Sequence, residues 1–359
     1  MKDYSISLCA YTIGENAYGK ISQICSAYGK SAVIIGGNLS RNAAESKLIN
    51  NCGEINIIAS VYFGGEASEK NINTLCHTKE VIDADMIFAV GGGKALDTCK
   101  AVAHVLGKPV FSFPTIASTC AATTAVSILY TDDGAFLRPC FLPSPPIHAF
   151  IDTSIIAASP QKYMWAGIGD TLAKYYEAGM SSDGEILPHY FALGVEVSRM
   201  CAEPVYLYGK KALEDNKAKR TSFELEQIVL AIVVSTGIAS ILLTAEHTVD
   251  YNSGLAHAIF YTLTKYEQIE KNHLHGEVVG FGILLLLLVW QKYDEFERLY
   301  SFMRSVGLPT YPEDIELTEN EIASVIPSAA AMPDVRHSSY PVTEKALEEA
   351  FKKLCEYNK

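Results

Sequence analysis

The stretch "DMIFAVGGGKALDTCKAVAHVLG" (85–107) constrains the fold more than any other part of the chain. An apolar run stops at three glycines, and a helically spaced pattern starts at once. A strand that turns tightly into a helix is the repeating unit of a parallel sheet covered by helices. The same alternation runs through the first 150 residues. "SAVIIGG" (31–37) reads as a strand before the helical "NAAESKLINNC". "INIIASVYF" (55–63) is another strand, followed by helix to about Ile82. "PVFSFPT" (109–115), "VSILYTD" (126–132) and "AFIDTSII" (149–156) continue the series. "RPCFLPSPPIH" (138–148) breaks it and reads as a loop.

Beyond about residue 155 strand signals nearly vanish. Apolar residues recur at helical spacing over 187–202, 222–244, 276–292 and 343–357. The expectation is an α/β domain over 1–155 and an all-helical domain over 156–359, with the crevice between them as the ligand site. The longest apolar run, Val278 to Trp290, is too short to span a bilayer and reads as a buried helix. "MKDYSISLCAYTIGEN" lacks the apolar core of a signal peptide. A formal net charge of −12 gives no attraction for phosphate backbones, so nucleic-acid binding is not expected. Nine scattered cysteines without a C-x-x-C suit reduced thiols in a cytoplasmic protein. A small-molecule substrate and a homo-oligomer are expected, with no membrane partner.

The glycine turn and the helix start behind it suit an anion such as a pyrophosphate. The spacing matches neither the G-x-G-x-x-G fingerprint nor a P-loop, so a plain strand–helix turn remains open at this level. "FPTIASTCAATTAVSILYTDDG" (113–134) reads either as a hydroxyl-rich ligand lining or as an ordinary Ser/Thr loop. In "GIGDTLAKYYEA" (167–178), Gly167 and Gly169 lead into a helical pattern with Asp170 expected at its start. With His257 in "NSGLAHAIFYTLT" and His275 in "HLHGEVVGFG", Asp170 makes a reasonable set for a divalent metal with one open position. Singly, each has a duller reading: an N-cap, a buried histidine and a loop histidine. No short ligand spacing ties the three together.

"GGGKALDTCKAVA", "PTIASTCAATTAVSILYT", "GIGDTLAKYYEA", "LAHAI" and "HGEVVGFG" occur in order. On these motifs the chain resembles the iron-dependent alcohol dehydrogenase superfamily, in the branch that contains glycerol dehydrogenase. The resemblance covers nearly the whole chain. It implies a nucleotide-binding α/β domain and a helical domain, a dehydroquinate synthase-like architecture, with NAD(P) and a metal in the cleft between them. It implies that Gly92, Gly93 and Lys94 hold the pyrophosphate. Thr115, Ser118, Thr124, Val126 and Tyr130 would line the nicotinamide and its ribose. Asp170, His257 and His275 would ligate the metal. Iron-binding members carry a histidine one turn after the aspartate, and here that position is Lys174. A three-ligand, zinc-type site is therefore implied, with iron as the alternative.

Three positions depart from the family pattern. Cys120 stands where glycerol dehydrogenases have an aspartate that helps to bind the polyol. Gly37 stands where an acidic residue would meet the adenosine ribose, which opens the way to NADP as well as NAD. Phe260 replaces a second histidine after His257. The implied activity is a metal-dependent, NAD(P)-linked dehydrogenase for a small alcohol, polyol or 2-hydroxy acid. Its nearest likeness is to the hydroxycarboxylate dehydrogenases, with Lys174 expected to attract a substrate carboxylate beside the metal and Cys120 beside the substrate. Glycerol dehydrogenase is the alternative, and a non-catalytic nucleotide-binding relative a further one. Dehydroquinate-synthase-like carbocycle synthases share the architecture, but the sequence after the glycine turn and the aspartate at 170 argue against them.

Overall fold

The computed structural model describes residues 6–357. Contacts divide the chain into two compact units, Met1–Gln161 with Lys211–Gly237, and Lys162–Lys210 with Ile238–Lys359. This differs from the single boundary expected at residue 155. Two long helical segments, His189–Lys217 and Phe223–Leu243, each begin in one unit and end in the other. The 211–237 stretch therefore belongs with the first unit despite its helical sequence.

Among the described residues the first unit carries eight strands. They are β1 (Ala10–Gly14), β2 (Ser31–Gly36), β3 (Asn56–Tyr62), β4 (Met86–Gly91), β5 (Val110–Pro114), β6 (Val126–Tyr130), β7 (Phe136–Phe141) and β8 (His148–Asp152). Six form one sheet in the order β1-β8-β5-β4-β2-β3, and every pairing within it is parallel. A parallel sheet covered on both faces needs strands that are apolar throughout. All residues of β4 and of β8 are accordingly buried, whereas β1 and β3 at the edges are partly exposed. Phe88, Phe111, Phe113, Phe150 and Tyr18 fill the core. Phe113 and Phe150 stack at 5.1 Å.

Two sequence expectations fail here. β1 was not anticipated, and "RPCFLPSPPIH" contains most of β7, which pairs antiparallel with β6 in a separate two-stranded sheet. Pro139 is tolerated in β7 because a strand of a two-stranded ribbon is an edge strand.

Topology locates the crevice in this sheet. From β2 the chain moves to β3 on one side, then crosses to β4 on the other. Ligands of such sheets bind at the carboxyl ends of the strands where the order reverses. Here those ends are Gly36–Gly37 after β2 and Gly91–Gly93 after β4. Each strand feeds a helix, Asn38–Ile49 and Gly93–Leu106. Ser40 Oγ ties the two ends together by donating to Gly37 O and Val90 O, both at 3.0 Å.

The second unit is helical. Its His275–Val289 helix is buried from Gly276 to Val289, as expected for the longest apolar run. The Phe223–Leu243 segment is long and apolar enough to cross a membrane by length and composition, but 72% of that window is buried within the protein. A π turn, Leu230–Ser235, interrupts it, and Thr123 Oγ1 donates to the Val233 carbonyl at 2.5 Å.

Candidate functional site

Asp170 is not at a helix start. It lies within the 22-residue helix Gln161–Ser182, and Gly167 and Gly169 are interior helical residues. The glycines allow close packing instead of a turn. A Cβ on Gly169 would come within 2.1 Å of Gly276 O, and one on Gly276 within 2.1 Å of Ala166 O. The helices of Asp170 and His275 therefore touch backbone to backbone. His275 is the first residue of its helix, fixed there by Glu277, whose carboxylate accepts from Leu274 N at 2.9 Å and pairs with His273 Nδ1. His257 lies in the first turn of the helix Leu255–Leu263.

These elements bring the three sequence-predicted ligands together. Asp170 Oδ1 is 3.5 Å from His257 Nε2 and 3.3 Å from His275 Nε2. One ligand atom from each residue falls within 4.8 Å of the others. Four donors around a tetrahedral zinc at its usual bond lengths stand about 3.3 Å apart, so the two Asp170 distances match edges of that figure.

Glu177 completes the arrangement, and sequence reasoning missed it. Its Oε2 lies 2.7 Å from His257 Nδ1, and its Oε1 accepts from His257 N at 3.0 Å. An Nδ1–H donated to a carboxylate leaves the Nε2 lone pair free to face a cation, as in carboxylate–histidine–metal triads. Glu177 follows Asp170 by seven residues, two turns along the same helix face, so the signal lay within "GIGDTLAKYYEA".

Electrostatics agree with a site built for positive charge. Burial opposes the imidazolium of His257, but Glu177 and Asp170 outweigh it and raise its pKa to about 10. Burial likewise opposes the Asp170 carboxylate, yet His257 and His275 hold it well below the ordinary carboxylate range. Three donors of two hard-to-borderline types, buried against one open flank at His275 (30% side-chain exposure), fit a catalytic divalent ion. His275 Nδ1 has no hydrogen-bond partner among the described residues, and Phe260 packs edge-on against its ring at 4.4 Å.

Glu177→Gln keeps the shape and removes the charge that orients His257. We expect metal affinity to fall about 10- to 100-fold. A metal titration with unchanged Kd would show that Glu177 serves packing alone.

Lys174 is not placed as the sequence suggested. It is buried, and its ammonium donates to Asn252 O at 2.5 Å and Asn252 Oδ1 at 2.6 Å. The neighbouring Ser253 Oγ donates to Asp334 Oδ1 at 2.6 Å. Lys174 and Asp334 thus clamp the segment that leads into the His257 helix.

The residues expected to meet a cofactor lie in the first unit. A Cβ on Gly92 would meet Ile116 Cδ1 at 2.6 Å, and Thr115 N donates to Gly91 O at 3.1 Å. Gly93 lies against Thr119, and Ser118 and Cys120 are half-buried in the same loop. Lys94 Nζ lies 2.5 Å from Glu66 Oε2 and 5.2 Å from the centre of the Tyr130 ring. Thr124 and Val126 turn polar atoms onto Lys100.

Residues 10–149 match the model of the family described as iron-containing alcohol dehydrogenase. The chain is 33% identical to the glycerol dehydrogenase of Thermotoga maritima, over 97% of this chain and 96% of that protein. The chain belongs to the iron-containing alcohol dehydrogenase family. It is 32% identical to hydroxycarboxylate dehydrogenase A of Escherichia coli, over 82% of this chain and 81% of that one. The structure of a glycerol dehydrogenase from Schizosaccharomyces pombe gives a TM-score of 0.86 at 26% identity, covering 99% of this chain and 91% of that one. The α/β sheet and the mostly helical remainder are those of the family.

Proposed function

We propose that the chain is a metal-dependent, NAD(P)-linked dehydrogenase that interconverts a small alcohol, polyol or 2-hydroxy acid and its carbonyl form. The observation that carries this reading is the Asp170–His257–His275 cluster with Glu177 behind His257. A divalent ion there supplies Lewis acidity to the substrate oxygen, and the nicotinamide supplies or accepts the hydride. Asp170, His257 and His275 hold the ion, and Glu177 fixes the tautomer of His257. The half-exposed flank of His275 admits the substrate. The strand ends at Gly36–Gly37 and Gly91–Gly93 hold the cofactor, with two helix N-termini facing its phosphates. Zinc is the metal we favour, because the donors number three and an ammonium, Lys174, occupies the place of the fourth.

Asn252 takes two of the three Lys174 protons. We therefore assign Lys174 to bracing the His257 helix, and the hydroxy-acid reading rests on likeness to the Escherichia coli protein rather than on a carboxylate-binding lysine. A cytoplasmic homo-oligomer completes the proposal. The test is a screen of metal-reconstituted protein with NADH and NADPH against dihydroxyacetone, simple ketones and 2-oxo acids. Metal-dependent oxidation of the reduced cofactor is expected. Stoichiometric metal with no turnover on any of these carbonyl classes would leave the non-catalytic alternative.

Cofactor choice is open to a separate test. A Cβ on Gly37 would meet only ordinary contacts, Ser40 Oγ at 3.4 Å and Phe63 at 3.6 Å, so a side chain fits there. Arg41, one turn on, brings a cation to the end of β2, where it donates to Ser60 O at 2.9 Å and Asn38 Oδ1 at 2.8 Å. We expect NADPH to serve at least as well as NADH. Gly37→Asp should move the NADH-to-NADPH ratio of kcat/KM upward by about tenfold or more, because its carboxylate accepts from a ribose hydroxyl and repels a 2′-phosphate. An unchanged ratio would show that position 37 does not read the ribose.

A further inference from the structure

The helix Leu255–Leu263, which carries His257, starts on Gly254, a residue with no side chain to cap it. The first N–H groups of a helix have no partner within it. Here the N–H of His257, the third helical residue, donates to Glu177 Oε1 at 3.0 Å, so one cap comes from the helix of Asp170. Gly254 rests on that same side chain. A Cβ at 254 would stand 3.3 Å from Glu177 Cγ and 3.5 Å from its Oε1. A helix without a cap of its own takes its starting point from whatever holds the chain just before it.

Part of that hold comes from a strap near the far end of the sequence. Asp334, in the short turn Pro333–Val335, is buried and accepts from Ser253 Oγ at 2.6 Å. Three residues on, His337 Nε2 lies 3.0 Å from Glu185 Oε1, and the His337 ring packs edge-on against Tyr251 at 4.5 Å. The Tyr251 hydroxyl donates to Glu185 Oε2 at 2.6 Å. Ser339 N donates to Met180 O at 3.3 Å. Met180 belongs to the helix of Asp170, and Glu185 follows shortly after its end. Residues 334–339 therefore bond the helix of Asp170 on one side and the entry to the helix of His257 on the other. A buried carboxylate is a costly way to fill this place, since an apolar side chain would avoid its desolvation. What the carboxylate adds is a directional bond at Ser253, four residues before His257.

We propose that Asp334 is a positioning residue of the metal centre, setting the His257 imidazole relative to Asp170 through its bond to Ser253. The inference rests on the metal reading above. Asp334 is not one of the three donors that face one another. It acts through the backbone of residues 253–257, and a metal site needs its donors held to within about 0.5 Å.

The test uses full-length protein freed of metal and reloaded with zinc or cobalt. Zinc Kd is read by competition with a chromophoric chelator, and donor geometry by the visible absorption of bound cobalt. In Asp334→Ala we expect zinc Kd to rise about tenfold or more and the cobalt bands to shift. Ser253→Ala cuts the same bond from its other side and should give the same change. The double variant should add nothing further, because two groups that act through one bond are not additive. Asp334→Asn keeps an acceptor for Ser253 and should restore both readouts. If Asp334→Ala fails to fold, Ser253→Ala carries the test at the same threshold. Wild-type zinc Kd and cobalt spectrum in a folded alanine variant would overturn the inference, leave Asp334 to the fold alone and leave the metal reading standing. Asp334→Asn behaving like Asp334→Ala would also overturn it, since the bond to Ser253 would not be the route. A wild-type protein that binds neither ion would overturn both readings.

Discussion

Replacing His275 with Ala should leave the protein unable to retain the divalent ion proposed for this site and should lower kcat/KM by about 10³-fold or more, as loss of several kcal/mol of Lewis-acid stabilisation requires. His275 is one of the three proposed donors, and the two that would remain, Asp170 and His257, cannot close a tetrahedral site. Asp170→Ala should behave alike for a second reason. Its carboxylate is the one anionic donor in the set, and without it two imidazoles face an ion with no charge to neutralise it. His257→Ala also deprives Glu177, a fully buried carboxylate, of its imidazole partner and leaves it only the backbone N–H of position 257. That variant should therefore lose the most stability of the three. Nucleotide binding should survive in all, because the residues proposed for it lie in the other unit. Elemental analysis after gel filtration is the measurement. Full metal content in His275→Ala would remove this histidine from the site.

The three candidate ligands were legible in the sequence only as separate possibilities, since 86 residues lie between Asp170 and His257 and the chemistry that would join them is tertiary. Their motifs, in order, carried the assignment. Asp170 was read at the wrong place in its helix for a physical reason. Two glycines in three residues look like a turn in one dimension, whereas here they are contact surfaces for another helix. The surroundings of Lys174 were hidden in the same way. Helical spacing put it on the face of Asp170, but not the Asn252 carbonyl that captures it. The sheet was easier, because a strand buried on both faces writes a continuous apolar run, as in "SAVIIGG" and "DMIFAVGGG". β1 escaped because "AYTIG" is a short, half-exposed edge strand with no such run. The anchoring of β6 by Asp97 and Lys100 was invisible, as charged residues in a helix ordinarily read as its solvent face.

The glycine contact makes a prediction of its own. Gly169→Ala should loosen the metal centre without touching a ligand. The new methyl would stand 2.1 Å from Gly276 O, 3.1 Å from Gly276 C and 3.3 Å from Gly280 Cα. All three are backbone atoms, so no side chain can swing away and the helices themselves must part. Alanine favours an isolated helix over glycine by about 1 kcal/mol. Overpacking a closed contact costs about 1–3 kcal/mol or more, and with rigid backbone on the far side we expect the cost to win. The displacement falls beside the site, because Asp170 follows Gly169 and His275 precedes Gly276. Parting these helices stretches the 3.3 Å approach of Asp170 Oδ1 to His275 Nε2, and the donors no longer fit one ion. We expect a lower melting temperature and metal affinity reduced about 10- to 100-fold, the scale on which misplaced ligands act. Gly179→Ala serves as the control, since there the methyl meets only the Trp290 ring at 3.0 Å, more than two turns beyond Asp170 on the same helix. It should cost some stability and leave metal affinity unchanged. Wild-type metal affinity in a folded Gly169→Ala protein would mean that the site tolerates separation of its two helices, and that the backbone contact serves the fold alone.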